Sequence, residues 1–174
     1  MAVTFKGNPV TLKGTALAVG SPAPDFALVS TEMKLVTLDD ALAGGKRNAL
    51  LIVVPSLDTG VCSLESSKFN ARIGELPMDV AAYVVSRDLP FAQSRWAEAQ
   101  GGVGLQLLSD YRFGTFGPSY GVLIEELGLL ARAVFIIGKD KTVLYAQVVP
   151  EVSQEPDYED VIAAANRTSA QVNA

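Results

Sequence analysis

The chain has 174 residues, 49% of them hydrophobic and 19% charged, a balance that suits one folded domain and is too apolar for a disordered segment. Its net charge of −5 leaves no basic stripe beyond the pair Lys46-Arg47, which argues against nucleic acid as a ligand. A single cysteine excludes an intramolecular disulfide, and the lack of histidine removes Cys-His and Ser-His catalysis and leaves no plausible zinc site.

In chain order, Thr4-Phe5-Lys6 and Val10-Thr11-Leu12 flank Gly7-Asn8-Pro9 and predict a small N-terminal hairpin. Met1 to Gly20 holds no continuous apolar run, so no signal peptide is expected, and no later stretch approaches the ~20 apolar residues of a membrane helix. The expectation is a cytosolic protein that neither crosses nor binds a membrane. Ser21-Pro22-Ala23-Pro24 breaks the pattern and hands over to Asp25-Phe26-Ala27-Leu28-Val29, and Thr37 caps a short helix that stops at Gly44-Gly45. Ala49-Leu50-Leu51-Ile52-Val53-Val54, ended by Pro55, is the strongest strand signal and suits a central strand covered on both faces.

Val61, Leu64, Phe69, Ile73 and Leu76 recur at helical spacing and predict a helix beginning near Cys62. Val80 to Val85 reads as a second buried strand, and Leu89 to Gln100 as a helix closed by Gly101-Gly102. A short strand follows at Leu105 to Leu108, then a loop from Gly114 to Gly121 with one helical turn. Ala133 to Ile137 and Val143 to Val149 form a hairpin around Gly138 to Lys141, and Asp157 to Ala165 is a final helix with a polar, frayed tail. Strands alternating with helices, then a hairpin and a closing helix, predict a three-layer α/β domain with a mixed central sheet. No repeat or linker divides the chain, so a single domain over residues 1–174 is expected. These elements fit a thioredoxin-like wiring, and the pattern alone leaves a flavodoxin-like arrangement open.

The informative segment is Pro55-Ser56-Leu57-Asp58-Thr59-Gly60-Val61-Cys62. A buried strand ends, a loop crosses the carboxyl edge of the sheet where open α/β folds place ligand sites, and a helix opens at the cysteine. Unpaired N–H groups and the positive end of the helix dipole there favour thiolate over thiol. Thr59 sets a hydroxyl three residues ahead, able to bond the sulfur or an incoming oxygen. A lone cysteine is more often a small buried hydrophobe than a nucleophile, and its place at this junction only brings the two readings level.

Pro55, Thr59 and Cys62 match Pro-x-x-x-Thr-x-x-Cys, which resembles the signature of peroxiredoxins, and Pro-Ser-Leu-Asp-Thr-Gly-Val-Cys is similar to the version in their bacterial thiol peroxidase (Tpx) subfamily. Asp88 to Arg95, Ala131-Arg132-Ala133-Val134, and Val149-Pro150-Glu151 with Glu155-Pro156-Asp157-Tyr158 resemble further Tpx segments in the same order. The N-terminal hairpin is also a Tpx feature, so the resemblance spans nearly the whole chain. It implies a thioredoxin-like fold and a peroxidase that needs no cofactor. Cys62 would attack the peroxide O–O bond and become a sulfenic acid. Thr59 would hydrogen-bond the peroxide or the sulfur, Pro55 would shield the pocket, and Arg132 would stabilise the thiolate and the developing charge on oxygen.

Read without the resemblance, Arg132 is a solvated edge residue, Pro55 a strand stop and Thr59 a helix cap. Glu65, one turn into the helix, can pair with a basic residue. Phe26, Phe91, Trp96 and Phe116 read as core or dimer-surface aromatics.

The chain departs from the Tpx pattern at one position. Trp96 holds the place of an aromatic, and Ala97 stands where the resolving cysteine would follow. With no second thiol, oxidised Cys62 is expected to need an external thiol: thioredoxin, glutaredoxin or a small thiol. Homodimerisation is also implied by the resemblance. A redox sensor and a non-catalytic thioredoxin-like binding module are the rival readings.

Overall fold

The computed structural model describes residues 2–172. Strands β1 (Val3–Phe5) and β2 (Asn8–Val10) pair antiparallel around a two-residue turn. Both turn residues have positive φ, 51° at Lys6 and 80° at Gly7, the left-handed geometry whose twist suits a tight hairpin. The turn is therefore tighter than the expected Gly7-Asn8-Pro9 loop. Asn8 and Pro9 join the second strand, where an edge position tolerates a proline. Leu12 leaves the hairpin for a separate strand, β3 (Leu12–Lys13).

Next come β4 (Ala27–Ser30), β5 (Leu35–Thr37) and α1 (Leu38–Ala41). After them lie β6 (Asn48–Val53), α2 (Gly60–Ala71), a 3-10 turn (Ile73–Glu75) and β7 (Val80–Ser86). The rest of the chain forms α3 (Pro90–Ala99), β8 (Gln106–Ser109), α4 (Phe116–Ser119), β9 (Leu123–Ile124), β10 (Leu129–Leu130), β11 (Ala133–Ile137), β12 (Val143–Val148) and α5 (Tyr158–Val172).

Seven strands make one mixed sheet in the order β12-β11-β6-β7-β8-β4-β5. The central β6, β7 and β8 are parallel and joined through α2 and α3, while β11 runs antiparallel beside β6. That antiparallel neighbour gives the thioredoxin-like wiring and excludes the flavodoxin-like one. A small sheet of β10, β9 and β3 lies apart.

All six residues of β6 are buried, because both faces of the sheet are covered. Leu50 and Ile52 pack with Phe69, Trp96 and Val161 from α2, α3 and α5. Ala49, Leu51 and Val53 point the other way, toward Leu38, Phe116 and Tyr120. Burying each leucine stabilises the fold by about 1.5–3 kcal/mol. At the end of α3, Gly101 and Gly102 donate back to Glu98 and Ala97 with φ of 77° and 96°, a glycine closure that satisfies the last carbonyls.

Two helices depart from expectation. Helix α5 does not end at Ala165. It continues to Val172 because its polar positions are engaged: Thr168 and Ser169 are buried, Ser169 bonds Asp79, and Asn166 donates to Ile162 O at 2.9 Å. Helix α2 buries only part of the face its apolar residues mark. Cys62, Glu65, Ser66 and Phe69 are buried, whereas Leu64 is 47% exposed. The inward face thus carries polar groups, two of which, Cys62 and Glu65, share Arg132 as their partner.

Candidate active site

The main chain of β6 delivers the loop. Val54 still donates to Val85 O at 3.0 Å, and Pro55, with no N–H to offer, ends the ladder. Asp88, just beyond β7, then fixes the next two residues. Its carboxylate accepts from Ser56 Oγ at 2.6 Å, from Leu57 N at 2.8 Å and from Ser86 Oγ at 2.8 Å.

Thr59 occupies the cap position of α2 in extended conformation (φ −101°, ψ 147°), yet its side chain caps nothing. Its hydroxyl donates to Ser56 O at 2.8 Å instead. The first intrahelical bond runs from Ser63 N to Thr59 O, so the N–H groups of Gly60, Val61 and Cys62 have no intrahelical partner. Cys62 is the third residue of this helix, inside the reach of those donors and of the dipole.

Arg132 arrives from the neighbouring strand. Ala133 pairs with Val53, so the residue before it falls beside the carboxyl end of β6. It is not a solvated edge residue, being only 2% exposed. Its guanidinium is held on three sides. Nη2 donates to Cys62 Sγ at 3.2 Å, Nε donates to Val152 O at 2.9 Å, and Nη1 donates to the Glu65 carboxylate.

Glu65 is fully buried, and its second oxygen has no partner among the described residues. Burial pushes its carboxyl up to about 7 against the pull of Arg132. Burial also works against the Arg132 charge, but Glu65 and Cys62 outweigh it and hold the guanidinium ionised. One buried cation therefore faces a sulfur and a carboxylate together.

Cys62, Thr59, Pro55 and Arg132 meet on one cavity of about 320 Å³. The hairpin contributes Phe5 and Lys6, and Ile124, Leu127 and Leu129 come from the small sheet. This mostly apolar wall sits at the low end of small-ligand pockets. Ala97 does not reach it. That residue lines a separate, more open cleft of about 790 Å³ between α3 and the β5 edge. Its neighbour Trp96 donates from Nε1 to Ser63 Oγ at 2.8 Å, one residue from Cys62.

Three contributions were not assigned from sequence: the ion pair of Glu65 with Arg132, the bracing by Asp88, and the wall of Ile124, Leu127 and Leu129 from β9, β10 and the turn between them. Glu65 alone carried a usable signal, lying three residues beyond Cys62 on one helix face. Among the described residues no three metal-ligating side chains converge, and no helix is long and apolar enough to cross a membrane.

Residues 18–162 match the Redoxin family, which is most of the chain. The chain belongs to that family. Within it, this redoxin is 47% identical over 164 residues to a thiol peroxidase of Halalkalibacterium halodurans, covering 94% of this chain and 96% of that one. It is 47% identical over 165 residues to a thiol peroxidase of Clostridium acetobutylicum, covering 95% and 98%. Among solved structures, a peroxiredoxin-like protein from Aquifex aeolicus superposes with a TM-score of 0.88 at 40% identity over 96% of both chains. The redoxin described here thus falls with the thiol peroxidases of its family, and it carries one cysteine.

Proposed function

We propose that this protein is a thiol-dependent peroxidase that reduces hydrogen peroxide and organic hydroperoxides through Cys62. The observation that carries the reading is the Arg132 guanidinium 3.2 Å from Cys62 Sγ, at an uncapped helix N-terminus beside an apolar cavity. The sulfur attacks as thiolate on the terminal oxygen of ROOH. An S–O bond forms as the O–O bond breaks, RO⁻ departs and takes up a proton, and Cys62 is left as sulfenic acid.

Each neighbour has a part in this step. Arg132 faces the charge as it passes from sulfur to the leaving oxygen, a fixed donor that needs no reorganisation. The Thr59 proton is committed to Ser56 O, so the hydroxyl oxygen presents lone pairs that accept from the peroxide O–H. Buried Pro55 supplies a wall without an N–H to hold water. Glu65 acts through Arg132, fixing the guanidinium plane.

With one cysteine, reduction is intermolecular. An external thiol displaces water from the sulfenic acid to give a mixed disulfide, and a second thiol releases Cys62 as thiol. The sum is ROOH plus two thiols giving ROH, water and one disulfide. Thioredoxin or another external thiol fills this role, and the protein acts as a homodimer, as the thiol peroxidase resemblance implies.

Turnover at limiting reductant, quenched and read by intact mass, tests the cycle. A mixed disulfide between Cys62 and thioredoxin, glutaredoxin or a small thiol is expected. Steady turnover that never shows such an adduct with any of the three contradicts it.

A further inference from the structure

Glu151 plays no part in the reaction above, yet its carboxylate is the most heavily bonded on the surface. It accepts from Thr4 Oγ1 at 2.7 Å, Lys6 N at 2.9 Å, Gly7 N at 3.0 Å, Ser153 N at 3.0 Å and Ser153 Oγ at 2.5 Å. The first three donors all belong to the N-terminal hairpin. Lys6 and Gly7 are its left-handed turn, whose successive N–H groups converge on one anion as in a backbone nest. These bonds, the Ser153 hydroxyl foremost and Thr4 next, hold the Glu151 carboxyl far below the usual carboxylate range.

The hairpin needs such a tie. A two-stranded ribbon of three residues a side is marginal alone, and its backbone reaches the body through Thr4 N to Pro150 O and Val152 N to Thr4 O, both 2.8 Å. What the hairpin carries is the outer wall of the Cys62 cavity, Phe5 and Lys6. Glu151 also borders the reacting centre along the chain. Val152 and Ser153 line the same cavity, and Val152 O accepts from Arg132 Nε.

We propose that Glu151 is a positioning residue that latches the hairpin over the Cys62 cavity and thereby sets selectivity for bulky organic hydroperoxides over hydrogen peroxide. This rests on the peroxidase reading of Cys62 and adds what determines its substrate preference. Hydrogen peroxide needs only Sγ, Arg132 and Thr59. An organic residue must also lean on both walls, Phe5 on one side and the leucines of the small sheet on the other. A hairpin freed at its tip withdraws one wall and leaves the reacting atoms in place.

The test measures second-order oxidation of reduced wild type, Glu151→Ala, Glu151→Gln and Thr4→Val by hydrogen peroxide and by cumene hydroperoxide, following Trp96 fluorescence. In Glu151→Ala the ratio of cumene hydroperoxide to hydrogen peroxide rates should fall about tenfold, the scale of losing one apolar contact in a specificity pocket. The hydrogen peroxide rate should stay within about threefold. Glu151→Gln, which keeps a carbonyl oxygen for the turn amides, should recover part of the ratio, and Thr4→Val should shift it less in the same direction. Amide exchange at Lys6 and Gly7 should quicken in Glu151→Ala. Parallel loss with both peroxides, an unchanged ratio, or unchanged amide protection overturns the latch. Failure of the underlying reading looks different, since wild type would then be inert toward both peroxides.

Discussion

Helices α1 and α2 both open on a threonine, and the two ends are finished in opposite ways. At α1, Thr37 Oγ1 accepts from Asp40 N at 3.3 Å, and the Asp40 carboxylate accepts from Thr37 N at 2.9 Å. The reciprocal box closes the end, and the Thr37 N–H, then its hydroxyl, hold the Asp40 carboxyl below its usual range. At α2, Thr59 turns its hydroxyl back to Ser56, no side chain closes the end, and the third position holds Cys62 in place of an acid. The nearest carboxyl on that helix, Glu65, is pushed up by burial instead of down by capping. A closed end stabilises the fold, whereas an open one keeps its donors for an anion. The departure from local stability rules falls where the chemistry is.

The largest way to break this contrast is to remove the cation facing the open end. Arg132→Met leaves Glu65 buried without its partner and should cost about 3–5 kcal/mol in urea unfolding. It should also slow peroxide oxidation of Cys62 by about 10²–10³, the usual loss of a fixed charge-stabilising donor. A variant as stable as wild type would contradict the buried pair.

A smaller effect separates the two carboxyls by pH. A carboxyl raised in the fold above its unfolded value of about 4.3 stabilises fully below that value and loses its contribution as pH rises through the folded one. With Glu65 at about 7, unfolding free energy should fall by about 2–3 kcal/mol between pH 5 and pH 8 on its account. Urea titrations at both pH values should show this component in wild type and not in Glu65→Gln. Equal pH dependence in the two proteins would place Glu65 outside the titration.

The smallest effects fall on the two capping-position threonines. Thr37→Ala should cost about 1 kcal/mol of stability and leave the peroxide rate unchanged. Thr59→Val should do the reverse, slowing the rate about tenfold with a stability change below about 0.5 kcal/mol, because its hydroxyl caps nothing. Paired melts and stopped-flow rates on the two variants decide it.

Much of the frame was legible in the sequence, since six consecutive apolar residues at Ala49 to Val54, a proline stop and the Gly101-Gly102 closure are local signals. The gathering of Pro55, Thr59 and Cys62 was also legible, because spacing along one strand–loop–helix unit fixes it. What escaped was non-local or two residues long. The strands of Leu123-Ile124 and Leu129-Leu130 are too short to show a period. The inward face of α2 was only partly legible, because Phe69 of its apolar residues turns inward while Leu64 faces solvent. Cys62 and Glu65 face inward toward a cation 67 residues from Glu65 in the chain. The end of α5 was missed because Thr168 and Ser169 look like surface residues until Asp79 is beside them.

The most direct test mixes reduced protein with less than one equivalent of hydrogen peroxide in a stopped-flow instrument, with Cys62→Ser as control and Trp96 as reporter. The Trp96 indole bonds Ser63 beside the reacting cysteine, so a fluorescence change should track its oxidation. Oxidation far faster than that of an ordinary exposed thiol, absent in Cys62→Ser, is expected. A rate no faster than a free thiol would mean that Arg132, Thr59 and the open end of α2 do not activate Cys62, and the peroxidase reading would fail.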